Sequence, residues 1–337
     1  MTSRLSTRPR RNRKLFAPAE PLLEGARHVF VVSDGGLRSL PLGVLVTEAP
    51  RVGLPDLPGY RRVPWLAKKY AMTVLPSVSS LRALRSFARA TRAKLPFVGF
   101  GDPVLEGKPG GARGIELAAL FPRGAVADVV AVRNLPPLPD TADELRAIAR
   151  ALKASDDGIY LGARATEGRL KTMDLSRYRV LAFATHGLVG GDIKGVAEPG
   201  LVLSPPETGS ERDDGILTAS EVAKLKLDAE WVILSACNTA AADGTPGAEG
   251  LSGLAKAFFY AGSRALLVSH WPVASDAAVK LTTRAFAELA KPAGIGRAEA
   301  MRRSMLALMA DKERPFYAHP MFWAPFIVVG EGGRQRQ

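Results

Sequence analysis

Seven short apolar runs punctuate the chain, each bounded by polar or turn-forming residues: His28–Val32, Pro96–Phe100, Ile159–Leu161, Val180–Ala184, Trp231–Leu234, Ala265–Ser269 and Phe326–Val329. Most are nearly continuous in hydrophobicity instead of alternating, the pattern of strands covered on both faces. Between them the periodicity becomes helical. Thr141-Ala142-Asp143-Glu144 reads as a capping box ahead of Leu145, Ile148, Ala149 and Leu152. Leu251, Leu254, Ala255 and Phe258 mark another helix, ended by Gly262, and the segments 276–290 and 297–309 read as two more. Strands alternating with helices predict an α/β fold: a three-layer α/β/α sandwich with a mainly parallel central sheet. Ser204 to Asp214 predicts a hairpin or surface loop, and Asn238 to Glu249 a loop leading out of the fifth run. Internal repeats of 20 to 50 residues are absent.

Charge changes this picture at one end. The formal net charge of +13 is concentrated early: residues 1–20 carry +5 and residues 61–94 carry +9, while 95–337 balance to zero. Arg82, Arg85, Arg89 and Arg92 recur at helical spacing, with Leu81, Leu84 and Ala88 on another face, predicting an amphipathic helix with an arginine stripe. Such a stripe could grip an acidic partner, nucleic acid or an anionic membrane, although most basic helix faces are simply solvated. The start, Arg8 to Lys14, is basic, but prolines and glutamates break up Phe16 to Gly25, so a disordered tail is expected in place of a signal peptide. No apolar stretch reaches the roughly 18 residues of a membrane span. A soluble, cytoplasmic protein is therefore expected. A single cysteine excludes an intrachain disulfide, and His28, His186, His270 and His319 are too scattered for local metal spacing.

The candidate chemistry lies in the balanced half. Cys237 follows the run Trp231 to Leu234, and His186 follows Val180 to Ala184, so a nucleophile and a proton carrier each stand just past a predicted strand. In a parallel sheet those ends share one edge. A lone cysteine or histidine is commonly structural; equivalent placement of the two, 51 positions apart, is the feature that recommends catalysis. A thiolate is the effective nucleophile near neutral pH, and an imidazole with a pKa of about 6.5 can favour it. Other chemistries fail on motif. Gly250-Leu251-Ser252-Gly253-Leu254 lacks the final glycine of a serine-hydrolase elbow, and neither a phosphate loop nor a dinucleotide fingerprint occurs.

Ala184-Thr185-His186-Gly187, Asp214-Gly215-Ile216-Leu217-Thr218, Leu234-Ser235-Ala236-Cys237-Asn238-Thr239, Gly250-Leu251 and Ser269-His270-Trp271-Pro272-Val273, in that order, resemble the CHAT domain, a caspase-like family related to separase. The likeness extends from about residue 28 to 330. It implies a caspase-like domain over 28–330, with subdomains at 28–150 and 151–330, between a basic tail at 1–27 and a short tail at 331–337. The resemblance further implies a cysteine endopeptidase acting on a protein substrate through a His186/Cys237 dyad and an acyl-enzyme. The backbone N–H groups of Gly187 and Cys237 would hold the oxyanion, and no cofactor or metal is implied. Asp276, Glu249 and His270 are weaker candidates for lining the substrate cleft, and His319 is expected to be structural. The tetratricopeptide repeats that often accompany the family are missing from these residues. The expected activator or sensor is accordingly a separate protein, the basic N-terminal region or sequence beyond this chain, in a role such as bacterial defence or regulated cell death. The competing expectation is a catalytically silent adaptor that binds an acidic partner or nucleic acid through the basic half.

Overall fold

Runs too short for helices and too apolar to face water become the middle of a sheet. The computed structural model describes residues 17–33, 37, 40–48, 56–86, 91–108, 126–188, 198–236, 253–271, 273–292 and 294–333. Eleven strands are found among them: β1 (His28–Val31), β2 (Ala71–Val74), β3 (Leu95–Gly101), β4 (Ile159–Leu161), β5 (Tyr178–Ala184), β6 (Gly187–Leu188), β7 (Gly200–Val202), β8 (Ile216–Thr218), β9 (Trp231–Leu234), β10 (Ala265–Ser269) and β11 (Phe326–Gly330). Eight form one sheet in the order β1-β2-β11-β10-β9-β5-β3-β4, parallel throughout except where β10 meets β11. All seven apolar runs are strands of this sheet. The eighth, β2, has no comparable run, because Ala71-Met72-Thr73-Val74 carries a hydroxyl that is buried and bonded to His28 Nε2 at 2.7 Å.

Side-chain alternation along each strand builds two cores. From β5, Val180, Ala182 and Ala184 point to one face with Trp231, Ile233 and Leu267; Leu181 and Phe183 point to the other with Val232, Leu234 and Val268. Helices cover both faces. Residues of α2 (Asp140–Ala151), α6 (Ser275–Leu289) and α7 (Arg297–Met309) close the first core, and residues of α3 (Glu167–Thr172), α4 (Ala219–Lys224) and α5 (Gly253–Ala261) the second. The remaining longer helix, α1 (Val78–Ser86), precedes β3. This is the expected three-layer α/β/α sandwich.

Three local expectations change. The capping box at Thr141 does not form: α2 begins at Asp140, and Thr141 lies inside it, donating to Leu138 O at 2.7 Å and accepting from Asp102 N at 2.8 Å. Glu144 has no cap to close and turns inward. The arginine-striped helix is described only to Ser86; Arg89 lies outside the described residues, Arg92 is not helical and bonds Asp228 through its backbone, and Arg85 pairs with Glu331 at 3.1 Å. Of the segment read as a tail, Ala17–Leu23 forms a 3-10 helix, with Leu23 and Ala26 packed against Leu45, Leu66 and Tyr70; residues 1–16 lie outside the described residues.

The predicted stop at Gly262 holds. Its φ is +113°, and a Cβ there would sit 2.3 Å from Leu227 O, a backbone atom that cannot swing away. Gly262→Ala is expected to cost about 3 kcal/mol through left-handed strain and this clash. Chemical denaturation checks it; a loss below about 1 kcal/mol would mean the 262 turn relaxes freely.

Candidate functional site

Because β5, β9 and β10 are parallel neighbours, their C-terminal ends open on one edge. The register pairs Phe183 with Leu234, an offset of 51 positions, and the same offset separates His186 from Cys237. The ladder continues one bond further, with Ser235 N donating to Phe183 O at 2.9 Å. Ala236 is the last described residue of this strand exit; Cys237 and Glu249 lie outside the described residues.

His186 is wholly buried. A second, three-stranded antiparallel sheet, β6-β7-β8, grips it from one side. Thr185 Oγ1 donates to Val202 O at 2.6 Å, and Val202 N donates to His186 O at 3.0 Å. The imidazole Nε2 lies 2.7 Å from Pro136 O. A carbonyl only accepts, so Nε2 is the donor in this bond and carries its hydrogen there. Gly187 stands opposite Leu201. Since the Val202–His186 bond fixes which pairs are hydrogen-bonded, the alternation of an antiparallel ladder makes Gly187–Leu201 the non-bonded pair. The Gly187 N–H therefore points away from β7, on the outer side of β6, which is the edge of that sheet.

The hairpin carrying these contacts is itself tied down from below. Asp214 accepts from Ala127 N at 2.7 Å and Ile216 N at 3.0 Å, and Gly215, with φ of +86°, makes the turn into β8. Ile216 and Leu217 are buried, and Thr218 with Glu221 forms the capping box of α4. Glu167 accepts from Asp214 N at 2.9 Å and pairs with Lys171, which reaches Glu221 at 2.6 Å. Burial pushes the Glu167 carboxyl up to about 8 against the pull of Lys171. The Asp214–Thr218 motif is therefore the scaffold that holds β7 against His186.

Sequence reading misses three groups at this edge. Pro136 acts through a backbone carbonyl, which no side-chain pattern announces. Glu144, buried in α2, accepts from Ser235 Oγ at 3.1 Å, although its spacing from Thr141 suggests a cap. Ser269 donates to Ala236 O at 2.5 Å. Ser235 and Ser269 stand within the family-like motifs, but only the fold brings each to its partner.

His270 follows β10 and is buried, its backbone N donating to Pro325 O at 2.9 Å. Burial pushes its imidazole down to about 4, and Nδ1 finds no hydrogen-bond partner among the described residues. The folded value lies below the unfolded 6.5, so this residue's contribution to stability is complete above pH 6.5 and is lost as pH falls toward 4. Between pH 7 and pH 4 the protein is expected to lose about 3 kcal/mol more than His270→Leu does. Urea midpoints at both values measure the difference; equal losses would show that His270 protonates without penalty.

Asp276 lies in the first turn of α6, where its charge favours the helix dipole. Its carboxylate is bonded by Arg314 and by the Tyr317 hydroxyl. A basic substrate side chain seeking Asp276 would have to displace Arg314. Burial and the Asp276 carboxylate push the Tyr317 phenol up to about 12, so it remains a donor at any ordinary pH. His319 is structural as expected: its Nδ1 accepts from Met321 N at 3.2 Å at the start of the Pro320–Trp323 turn, and its ring meets Tyr60 edge-on at 4.8 Å. Among the described residues no helix is long and apolar enough to cross a membrane.

The CHAT domain model matches residues 12–331. Tetratricopeptide repeat protein 28 of Mus musculus is 25% identical over 362 residues, covering 96% of this chain and 14% of that protein. Its Homo sapiens counterpart is 30% identical over 115 residues, 34% of this chain and 4% of the relative. The chain thus spans about a seventh of the mouse relative's length or less. Among solved structures, the complex of Porphyromonas gingivalis RgpB pro- and mature domains aligns with a TM-score of 0.50 at 11% identity, over 94% of this chain and 68% of that one. The Saccharomyces cerevisiae separase–securin complex aligns with a TM-score of 0.47 at 14% identity, over 90% of this chain and 15% of that one. At such identity the first likeness is one of fold alone.

Proposed function

The chain belongs to the CHAT domain family, and from that membership we propose that it is a signal-activated cysteine endopeptidase that cleaves a specific protein substrate. The observation that carries the reading is the orientation of His186. Its Nε2 donates to Pro136 O, so in this reading Nδ1 transfers the proton, and the residue stands just past β5, whose register with β9 equals the separation of His186 and Cys237. In this reading the Cys237 thiolate attacks the scissile carbonyl carbon and the π electrons move to oxygen. The Gly187 N–H, directed away from β7, and the Cys237 N–H stabilise that oxyanion; such a donor typically contributes about 10²–10³ in rate. His186, having taken the Cys237 thiol proton, gives it to the leaving amine as the C–N bond breaks, then takes a proton from the water that attacks the thioester and expels the Cys237 thiolate. Every step uses side chains and backbone of this chain.

Burial of His186 supports the signal-activated part of the proposal, since a substrate amine must reach a ring that solvent does not. A separate sensor protein, a cytoplasmic setting and a role in defence or regulated cell death belong to the same proposal. A second reading, a silent adaptor, is favoured by one fact: the curated relatives are named as tetratricopeptide repeat proteins. The basic half offers that reading limited support, because Arg85 already pairs with Glu331.

An acyloxymethyl-ketone probe and a positional peptide library separate the two. The peptidase is expected to label once and to cleave a defined subset of peptides, and Cys237→Ala to do neither. If wild type and Cys237→Ala label alike and neither cuts any peptide or candidate protein, the peptidase reading is wrong. The adaptor reading instead requires salt-sensitive binding that disappears when Arg82, Arg85, Arg89 and Arg92 are neutralised.

A further inference from the structure

We infer that Glu144 is a positioning residue for the nucleophile, acting through Ser235, and that the segment from Pro136 to Glu144 sets the relative placement of both halves of the dyad. The inference rests on the peptidase reading.

Its first support is where the carboxylate sits. Glu144 is 2% exposed, inside a helix that lends its neighbours Leu145, Ile148 and Ala149 to the core. Burying a carboxylate there is costly, and an apolar residue of similar size is often neutral or stabilising at such a position. Stability alone therefore does not account for a glutamate at 144. Its hydrogen bond does, because the Ser235 hydroxyl belongs to the second residue before Cys237.

The second support is the convergence of contacts on two residues. Ser235 is held by Glu144 through its side chain and by Phe183 O through its backbone, and Ala236 is held by Ser269 through its carbonyl. Strand exits usually need only their ladder bonds. Here α2 and β5 hold Ser235 and β10 holds Ala236, so between them the last two residues before the nucleophile are both fixed.

The third support is that one segment reaches both partners. Pro136 O orients His186, and eight residues later Glu144 orients Ser235. Between them Thr141 is anchored to Asp102 at the exit of β3. A shift of this segment would move the imidazole and the strand exit together, so the two stay in register even if the edge of the sheet breathes. Reacting groups displaced by about 1 Å can lose roughly 10² in rate, which makes such a clamp worth its burial cost.

The sole cysteine provides a clean test in the full chain. Iodoacetamide reports only how accessible and ionised the thiol is, whereas an acyloxymethyl ketone also requires the aligned site. The ratio of the two second-order rate constants therefore isolates alignment from folding. Glu144→Leu and Ser235→Ala are each expected to lower this ratio about tenfold, with kcat falling in parallel and KM within about twofold. The double variant is expected to be no worse than either single one, since both remove the same bond. Glu144→Gln keeps an acceptor oxygen and is expected to stay within about threefold of wild type. If Glu144→Leu does not fold, Ser235→Ala reads the same bond from its other end. Unchanged ratios in the single variants, losses that multiply in the double one, or a Glu144→Gln loss as large as that of Glu144→Leu would overturn the inference. A wild-type ratio no higher than that of His186→Ala would overturn the peptidase reading instead, and this inference with it.

Discussion

His186→Ala is expected to lower kcat/KM by about 10³-fold or more while leaving KM within a few fold. General acid–base catalysis by one positioned side chain is worth about 10²–10⁴, and in the proposed mechanism His186 acts twice, on the leaving amine and on the attacking water. The variant also removes the donor to Pro136 O, and an unsatisfied buried carbonyl costs about 1–3 kcal/mol. Activity lost through the proton and activity lost through unfolding must therefore be separated. His186→Gln does this: its amide nitrogen can take the place of Nε2 toward Pro136 O, but it carries no titrating group. It should retain most of the stability that His186→Ala forfeits and show the same loss of turnover. Steady-state kinetics on the best library peptide, alongside thermal unfolding of both variants, reads the two effects apart. More than about a tenth of wild-type activity in a folded His186→Gln would remove His186 from the proton-transfer step.

Phe183→Ala is expected to destabilise the fold by about 4 kcal/mol, the upper range for a buried aromatic truncated in a core. Phe183 is fully buried, stacks on Phe100 with centroids 5.8 Å apart and meets Phe258 of α5 at 5.5 Å, so the truncation opens a void between the sheet and its covering helix. A domain holds only about 5–15 kcal/mol of net stability, which makes this a large fraction of the total. The loss should also reach the site, because Phe183 O accepts from Ser235 N at the last rung before the strand exits. Urea denaturation of Phe183→Ala and Phe183→Leu measures the graded effect, about 4 against about 1–2 kcal/mol. A loss below about 1 kcal/mol in the alanine variant would mean that the aromatic cluster repacks and is not the keystone of the second core.

The central strands are legible because the physics that buries them is written in consecutive residues. Val180 to Ala184 and Trp231 to Leu234 have almost nothing polar to offer water, so only a position covered on both faces suits them. The short strands β6, β7 and β8 are not legible, since two or three residues carry no period of their own; they exist because Leu201 and Leu217 share one core and Val202 and Ile216 another. The loop expected from Ser204 to Asp214 does join β7 to β8, but its two ends are buried: Ser204 donates to Gly162 O, and Asp214 is the anchor of the hairpin. Glu144 shows the limit of local rules most clearly. Spacing from Thr141 is compatible with a cap, and the tertiary contact with Ser235, 91 positions away, decides otherwise.

The α/β class, the strands β5 and β9 that precede His186 and Cys237 in the chain, the turn at Gly262 and the family are legible in the residues alone, because hydrophobic runs, glycine geometry and ordered motifs are local properties. Which imidazole nitrogen is committed to Pro136 O, which way the Gly187 N–H points, that Arg314 already engages Asp276, and that Glu144 and Ser269 hold the two residues before the cysteine are set by the folded chain. Each of those depends on groups far apart in the chain meeting at hydrogen-bond distance. Burial makes such meetings energetically decisive, and no local pattern encodes them.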